Sequence, residues 1–291
     1  MAERPPAMVI TGASTGIGAA CALHFAAQGW QVYAGVRREE DGERLVSQAQ
    51  GNLVPVMLDV TSAAQIAAVA EQVRRERGEH GLQVLINNAG IAVAGPLEFI
   101  PLDAVRRQLE VNVVGLLAVT QAFLPLLRQG GGRIVNISSI LGKVAFPTVG
   151  PYAASKFAIE ALSDVLRREL ARWHLPVVSI LPGEVRTPIW EKSLKTAYSL
   201  LDALPPEGQA LYGDLISRIE ARARRNATGA MPVEKVVAAV ARACTAKHPR
   251  PRYVVGGSAR LAALLARCLP DQWLDKFIVR MTGRGVRERR E

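Results

Sequence analysis

The chain has 291 residues, of which 49% are hydrophobic and 21% are charged, so its composition is that of a globular protein with room for one large domain or two small ones. Its formal net charge of +10 would favour a nucleic-acid partner if the basic residues were clustered, but most are spread along predicted helices, so we expect no such partner. The three cysteines form no close-spaced pair and the four histidines are scattered, so we predict neither a disulfide framework nor a metal site.

The amino-terminal residues MAERPPAMVIT run from a short polar stretch straight into a strand-like segment. We read no signal peptide there, and no apolar run in the sequence approaches the roughly 18 residues of a membrane span. The sequence therefore predicts a cytoplasmic protein.

Short apolar segments alternate with longer helix-patterned ones over the first 190 residues, which is typical of βαβ units. The predicted strands are residues 7–11, 31–36, 53–58, 84–86, 133–137, 177–181 and 252–256. These segments are nearly all apolar, as strands buried on both faces should be. We predict one α/β domain over residues 1–291, a doubly wound (Rossmann-type) parallel sheet of about seven strands with helices on both faces, with its cofactor-binding and catalytic core in residues 7–190.

A glycine-rich segment, TGASTGIG, joins the first predicted strand to the first predicted helix. Gly12, Gly16 and Gly18 would let the backbone approach a pyrophosphate at the helix N-terminus, although their spacing departs from G-x-G-x-x-G. Arg37 and Asp59 follow the second and third strands, where the adenosine half of a dinucleotide would bind. Together these residues predict a dinucleotide site.

The type of dinucleotide depends on the end of the second strand, where a carboxylate would bind a ribose 2′-OH and a cation would bind a 2′-phosphate. Arg37 lies at this position, so NADP(H) is favoured. NAD(H) stays open as the alternative, because Glu39, Glu40 and Asp41 follow closely enough for one of them to bind a ribose.

Tyr152 and Lys156 are four residues apart in a helix-patterned segment, so they share one face of that helix. The pairing indicates a phenol tuned by an ammonium. Ser139 follows the fifth predicted strand, and Asn112 lies in an earlier segment, LEVNVVG. Alternation along the strand would point Ser138 to the face opposite Ser139.

Residues 187–230 fit the strand–helix alternation less well, and they follow the sixth strand at the edge where open α/β sheets bind ligands. We predict a substrate lid there, whose apolar residues would also suit the core or an oligomer contact. These residues are Ile189, Trp190, Leu194, Tyr198 and Leu201. Residues 276–291 form a basic tail with six basic and two acidic residues, for which contact with anionic lipid is an alternative to solvent exposure.

These motifs, in this order, closely resemble those of the short-chain dehydrogenases/reductases. TGASTGIG is similar to that family's T-G-x-x-x-G-x-G, residues 87–90 to its N-N-A-G, residues 152–156 to its Y-x-x-x-K, and Pro182-Gly183 with Thr187 to its P-G-x-x-x-T. The resemblance implies hydride transfer between a nicotinamide and an alcohol or carbonyl carbon. It also implies a homotetramer or homodimer built through the helices that carry Asn112 and Tyr152.

The resemblance assigns the catalytic roles to Asn112, Ser139, Tyr152 and Lys156, all of which match the family pattern. It implies that Tyr152 is the general acid/base, that Lys156 lowers its pKa and binds the nicotinamide ribose, and that Ser139 holds the substrate oxygen. Ser139 and Tyr152 are thus the substrate contacts, and Asn112 would hold a water. The implied cofactor residues are Gly12, Ser14, Thr15, Gly16, Ile17, Gly18, Arg37, Asp59, Val60, Asn87, Ala89, Gly90, Tyr152, Lys156, Pro182, Gly183, Val185 and Thr187.

The role of Tyr152 requires a change in its pKa, because an ordinary tyrosine has a pKa near 10 and neutral-pH catalysis calls for a drop of about 3 units. An ammonium roughly 6 Å away supplies about 2.8 kcal/mol at an effective dielectric constant near 20. We therefore expect Lys156 and the positive charge of an oxidised nicotinamide to lower the pKa of Tyr152 together.

Two further segments, VYAGVRREEDGERL and NNAGIAVAGPLEFIPLD, look like the branch of the family that contains retinol, 17β-hydroxysteroid and 3-hydroxybutyrate dehydrogenases. We expect an NAD(P)-dependent oxidoreductase that acts on the CH-OH group of a lipophilic, steroid- or retinoid-like substrate. The alternative is a non-enzymatic dinucleotide sensor or scaffold with the same fold, since a fold does not determine a function. The complete set of Asn, Ser, Tyr and Lys argues against that alternative.

Overall fold

A single parallel sheet of seven strands forms the centre of the computed structural model, which describes residues 4–186 and 204–282. The strands are β1 Ala7–Ile10, β2 Gln31–Val36, β3 Leu53–Met57, β4 Val84–Asn87, β5 Arg133–Ile137, β6 Val177–Pro182 and β7 Arg252–Val255. Their order in the sheet is β3-β2-β1-β4-β5-β6-β7. The predicted doubly wound sheet is confirmed, and each predicted strand agrees with the structure to within one residue at its ends.

Helices cover both faces of the sheet. They are α1 Gly16–Ala27, α2 Glu39–Gln48, α3 Ala63–Arg77, α4 Leu102–Leu109, α5 Gly115–Gln129, α6 Gly150–Glu169, α7 Pro206–Gly229, α8 Glu234–Thr245, α9 Gly257–Cys268 and α10 Asp271–Thr282. A π-helical turn, Glu110–Val114, joins α4 to α5, and a 3-10 turn, Ile140–Gly142, follows β5. The helix α7 lies within residues 187–230, the predicted lid.

Alternation along β1 shows how the core is divided between the two faces. Met8 and Ile10 belong to one buried cluster, which includes Phe25 of α1, whereas Val9 belongs to a second cluster, which includes Phe123 of α5. Successive side chains of a strand point to opposite faces, so a strand that is apolar at every position must be covered by helices on both sides.

The continuous helical stretch 102–129 is the one part of the described chain that is long and apolar enough to cross a membrane, with a mean hydropathy of 1.6. Core helices of globular proteins pass the same test, and this stretch packs against α3 and β4 through buried residues such as Leu116, Val119 and Phe123. Its apolar composition is therefore explained by its place in the core.

The predicted division of the chain into core, lid and tail stays a prediction. Within the predicted lid, residues 187–203 lie outside the described residues, and with them the five apolar side chains proposed to cover a substrate. Residues 283–291 of the predicted basic tail also lie outside the described part of the chain.

Candidate active site

The carboxyl ends of the parallel strands bring the predicted site residues to one edge of the sheet. The order of the strands reverses between β1 and β4, and ligands of open α/β sheets bind at such a reversal. Thr11, which follows β1, joins these two strand ends, since its Oγ1 accepts hydrogen bonds from the backbone N–H groups of Asn88 and Ala89 at 2.9 and 3.0 Å. The two predicted halves of the site thus meet at this edge.

The glycine-rich turn after β1 leaves a cradle of backbone at the start of α1. Gly12 and Gly16 have φ angles of 64° and 60°, which side chains disfavour. A Cβ on Gly12 would lie 2.8 Å from the Cα of Ala89, and one on Gly18 would lie 2.4 Å from the carbonyl oxygen of Gly12. Thr15 caps α1 without a side-chain hydrogen bond, so the first N–H groups of the helix can bind a phosphate. This cradle fits the pyrophosphate of a dinucleotide.

The ends of β2 and β3 place charged groups beside this cradle. Arg37 is exposed directly after β2. Burial alone would raise the pKa of Asp59, but hydrogen bonds from Thr61 and the charges of Arg37 and Arg107 outweigh it, so the pKa is held below its usual value. Arg44 was not predicted from the sequence, yet its guanidinium donates a hydrogen bond of 3.0 Å to the carbonyl oxygen of Ser14.

Tyr152, Ser139 and Lys156 come together where α6 passes the end of β5. The Ser139 hydroxyl lies beside Tyr152 and acts to lower its pKa, and the Ser139 Oγ accepts a hydrogen bond from the backbone N–H of Leu141 at 3.1 Å. The Lys156 Nζ lies 5.5 Å from the centre of the Tyr152 ring and donates to the carbonyl oxygen of Ile137 at 2.8 Å. The structure therefore assembles three of the four predicted catalytic side chains in one cluster.

Ser138 is the other hydroxyl at the end of β5, and its predicted orientation opposite to Ser139 stays a prediction. Its Oγ is buried and has no hydrogen-bond partner among the described residues, whereas that of Ser139 faces Tyr152. The geometry thus selects Ser139 over Ser138 as the hydroxyl beside Tyr152.

The pKa values of this cluster differ from the expectation. Burial raises the pKa of Tyr152 to about 12, and the hydrogen bond with Ser139 opposes this rise without reversing it. Burial also lowers the pKa of Lys156 to about 8, against the charge of Glu160. The predicted lowering of the Tyr152 pKa by Lys156 is therefore absent from the protein alone, because the dry surroundings penalise both the phenolate and the ammonium.

Asn112 lies in the π-helical turn Glu110–Val114 and is almost fully buried. Its Nδ2 donates to the carbonyl oxygen of Ile91 at 2.9 Å and to the Ser155 Oγ at 3.0 Å, while its Oδ1 accepts from the N–H of Ile91 at 2.9 Å. The side chain thereby ties the loop after β4 to α6. Both amide hydrogens are engaged, so the predicted bond to a water would have to use the remaining lone pair of Oδ1.

Gln108 was missed by sequence reasoning, although it lies one helical turn before Asn112 and is completely buried. Its Oε1 accepts from the N–H of Val93 at 2.6 Å, and its Nε2 donates to the carbonyl oxygen of Ile91. The side-chain amides of Gln108 and Asn112, on successive helical turns, therefore both bind the loop after β4. A spacing of four between two amide side chains in a helix-patterned segment was the signal that could have found it.

The remaining predicted cofactor residues lie along the same edge. Asn87 is buried and its Nδ2 donates to the Asn136 Oδ1 at 2.9 Å, so it serves the interior of the sheet as well. Gly183 follows β6 and donates its N–H to the carbonyl oxygen of Val255 at 3.0 Å. The other members in this region are Val60, Ala89, Gly90, Pro182 and Val185, whereas Thr187 lies outside the described residues.

Apolar residues pack around Tyr152. The ring packs with Leu141 and Ala153 in a small cluster that also contacts Phe146 and Val149. Farther out, α7 packs on the loop before α4, where the rings of Phe99 and Tyr212 meet edge to face at 5.9 Å. The approach to Tyr152 is therefore mainly apolar within the part of the chain that the structure describes.

Comparisons with known proteins agree with this geometry. The family model for the short chain dehydrogenase matches residues 6–197. Retinol dehydrogenase 5 of Mus musculus is 39% identical over 277 residues, which cover 92% of this chain and 86% of the relative. The 17-beta-hydroxysteroid dehydrogenase type 6 of Bos taurus is 35% identical over 93% of this chain and 87% of its own. A crystal structure of a short chain dehydrogenase from Burkholderia cenocepacia in complex with NADP superposes with a TM-score of 0.72, at 28% identity over 96% of this chain and 98% of the other.

Proposed function

Because the chain belongs to the short-chain dehydrogenase family, in the branch that resembles retinol and 17β-hydroxysteroid dehydrogenases, we propose that Tyr152 serves its NAD(P)-dependent oxidoreductase activity as the general acid/base. The reaction interconverts an alcohol and its carbonyl compound. The observation that carries the proposal is the placement of the Lys156 Nζ 5.5 Å from the centre of the Tyr152 ring, with the Ser139 hydroxyl beside the same phenol.

The nicotinamide, when bound, supplies or accepts the hydride. Tyr152 then moves the accompanying proton at its phenolic oxygen, and Ser139 orients the substrate oxygen by a hydrogen bond. Lys156 stabilises the phenolate through its charge and binds the nicotinamide ribose. In the protein alone the pKa of Tyr152 is raised, so its lowering in this proposal requires the additional positive charge of the oxidised ring.

NADP(H) is the dinucleotide that we favour over NAD(H). The exposed Arg37 beside the cradle supports this choice, and so does the NADP complex of the Burkholderia relative. The three carboxylates that could bind a ribose lie in the first turn of α2, where Asp41 is already paired with Arg44. That ion pair removes one of the alternatives to Arg37.

The substrate in this proposal is a lipophilic alcohol or ketone of the steroid or retinoid type. The names of the mouse and bovine relatives support that class, and so does the apolar cluster around Tyr152. We further propose residues 187–230 as the substrate lid, a cytoplasmic location, and a homodimer or homotetramer. Contact between the basic carboxyl-terminal residues and a membrane is the alternative for that segment.

Replacement of Tyr152 by Phe tests the proposed chemistry. Turnover should fall by at least about a hundredfold, the usual contribution of an acid/base group, while the affinity for NADPH stays the same. A panel of lipophilic alcohols and ketones, followed by nicotinamide absorbance with both dinucleotides, supplies the assay. Tyr253→Phe on β7 is the matched control, because its phenolic oxygen accepts from the backbone N–H of Arg250 at 3.2 Å, outside the cluster. Near-normal turnover of Tyr152→Phe would contradict the assignment.

A dinucleotide-binding sensor or scaffold is the alternative function. This alternative predicts that the protein binds NADPH but turns over no compound in the panel. It also predicts that Tyr152→Phe binds NADPH as the wild-type protein does. The buried cluster of Ser139, Tyr152 and Lys156 favours the enzyme, because a protein that only binds a dinucleotide needs no phenol placed beside a hydroxyl and an ammonium.

A further inference from the structure

Glu160 is a buried carboxylate that the proposed reaction does not use. It lies on α6 one turn after Lys156, and the residue is only 3% exposed. Its Oε2 accepts from the Lys143 Nζ at 3.0 Å and from the Arg252 Nε at 2.7 Å. Its Oε1 has no hydrogen-bond partner among the described residues. A buried ionised group is costly, so one that is retained beside the cluster requires a reason.

The partners of Glu160 come from the turn that carries Ser139 and from the far strand of the sheet. The 3-10 turn begins directly after Ser139 and ends at Gly142, and Lys143 follows it. A Cβ on Gly142 would lie 2.9 Å from the Lys156 carbonyl oxygen and 3.0 Å from the Glu160 Cγ. The turn therefore packs closely on α6 at Lys156 and Glu160, and the ion pair between Lys143 and Glu160 holds the end of the turn against the helix.

The charges in this cluster are unequal. Arg252 also bonds Asp164 at 2.6 Å, and Arg167 pairs with Asp164 at 2.8 Å. The cluster thus contains two carboxylates and three cationic groups even before Lys156 is counted. Loss of the Glu160 charge would remove the carboxylate that acts on Lys156 from one helical turn away, which disfavours the charged form of Lys156.

We propose that Glu160 is a positioning residue of the active site, which fastens the Ser139 turn to α6 through Lys143 and balances the charge of the Lys156 ammonium. The proposal rests on the proposed function, since it acts through two of its residues. It differs from a purely structural ion pair because Glu160 and Lys143 must affect Lys156 in opposite directions.

The sign of each effect follows from the charges. Burial lowers the pKa of Lys156 to about 8 and Glu160 raises it again, so removal of the carboxylate lowers it further. Removal of the Lys143 ammonium leaves more of the Glu160 charge to act on Lys156 and raises that pKa. Lys156 is charged only below its pKa. The alkaline limb of activity should therefore move to lower pH when the Glu160 carboxylate is removed, and to higher pH when the Lys143 ammonium is removed.

The experiment measures the pH dependence of kcat/KM for carbonyl reduction in the full chain. This direction is chosen because the reduced nicotinamide carries no positive charge, so Tyr152 keeps its high pKa and Lys156 titrates first. Glu160→Gln should move the alkaline limb to lower pH by about one unit, within the range expected for the loss of an opposite charge a few ångströms away. Lys143→Met should move the limb to higher pH.

Asp164→Asn is the matched control. It removes a carboxylate from the same helix and from the same arginine, but its position is two turns from Lys156 instead of one. The alkaline limb of kcat/KM should move less in Asp164→Asn than in Glu160→Gln. If Glu160→Gln does not fold, as judged by circular dichroism, the upward shift of Lys143→Met carries the test, because a loss of structure alone cannot raise the limb.

Opposite shifts in the two variants support the proposal. The proposal is overturned if the alkaline limb of kcat/KM stays at the wild-type pH in both variants, or if it moves to lower pH in both. The proposed function is tested in the same assay by Tyr152→Phe, which should lose turnover at every pH. If that variant is inactive and the limbs do not separate, only the role of Glu160 fails; if it is active, the proposed function fails first.

Discussion

Arg37 is the residue that decides the dinucleotide preference in our proposal. It is exposed at the end of β2 and close enough to affect the pKa of Asp59 at the end of β3. Arg37→Asp should lower the ratio of kcat/KM for NADP over NAD by about ten- to a hundredfold, because it removes a charge-assisted bond and adds repulsion. Arg38→Asp is the matched control, as it makes the same charge change one residue further on. If both variants lower the NADP/NAD ratio equally, Arg37 affects the preference only through the net charge of this surface and not through a direct bond.

Residue-level prediction succeeded where a side chain and its partner share a local pattern. The spacing of four between Tyr152 and Lys156 predicts that both side chains lie on one face of a helix, and the Lys156 Nζ does lie 5.5 Å from the centre of the Tyr152 ring. It missed Gln108 and Glu160, because their partners come from the loop after β4 and from β7, which no local pattern relates to them. The raised pKa of Tyr152 in the protein alone could not be predicted either, since burial cannot be read from spacing.

The turn between β1 and α1 is the element that the cofactor proposal depends on. Gly12→Ala should weaken NADPH binding by at least about tenfold, because it combines a positive φ with a backbone contact of 2.8 Å. Gly29→Ala is the matched control, since Gly29 has a φ of 80° but open space around its Cβ. Both variants should lose about 1 kcal/mol of stability from the backbone alone.

Titration of NADPH by fluorescence, together with thermal unfolding, separates the two effects. Gly29→Ala should bind normally despite its lower Tm. If the two variants bind NADPH equally well, the close approach at Gly12 serves packing only.

Elements were predicted well where composition and length agree. The strands are short apolar runs between polar segments, so their ends follow from the sequence alone. The π-helical turn Glu110–Val114 was not predicted, because the residues that form it have ordinary helical patterning; it carries the buried amide of Asn112, which bonds Ser155 of α6. The 3-10 turn after Ser139 was missed for a similar reason, since it is set by its contact with α6.

At the scale of the whole molecule, the preference for right-handed βαβ crossovers restricts the possible sheet orders, but the surfaces left exposed do not follow from sequence pattern. The outer face of α6 presents an apolar stripe with a helical spacing. Its members are Ala154, Phe157, Ala161 and Val165, all exposed. Exposed Leu109 and Val114 lie on the neighbouring stretch that carries Asn112. Such a surface matches the predicted association through these two helices, which stays a proposal.

Phe157 offers a direct test of that association. It is 44% exposed next to the buried Lys156, so Phe157→Glu places a charge on the stripe without entering the active site. Wild-type protein should show two or four times the chain mass of 31.3 kDa by light scattering, whereas this variant should show a smaller assembly, because an unpaired charge in an apolar interface is costly. Trp273→Glu on α10, where the ring is 66% exposed, is the matched control and should leave the mass unchanged. A mass lowered equally by both substitutions, or only by the one on α10, would place the contact elsewhere.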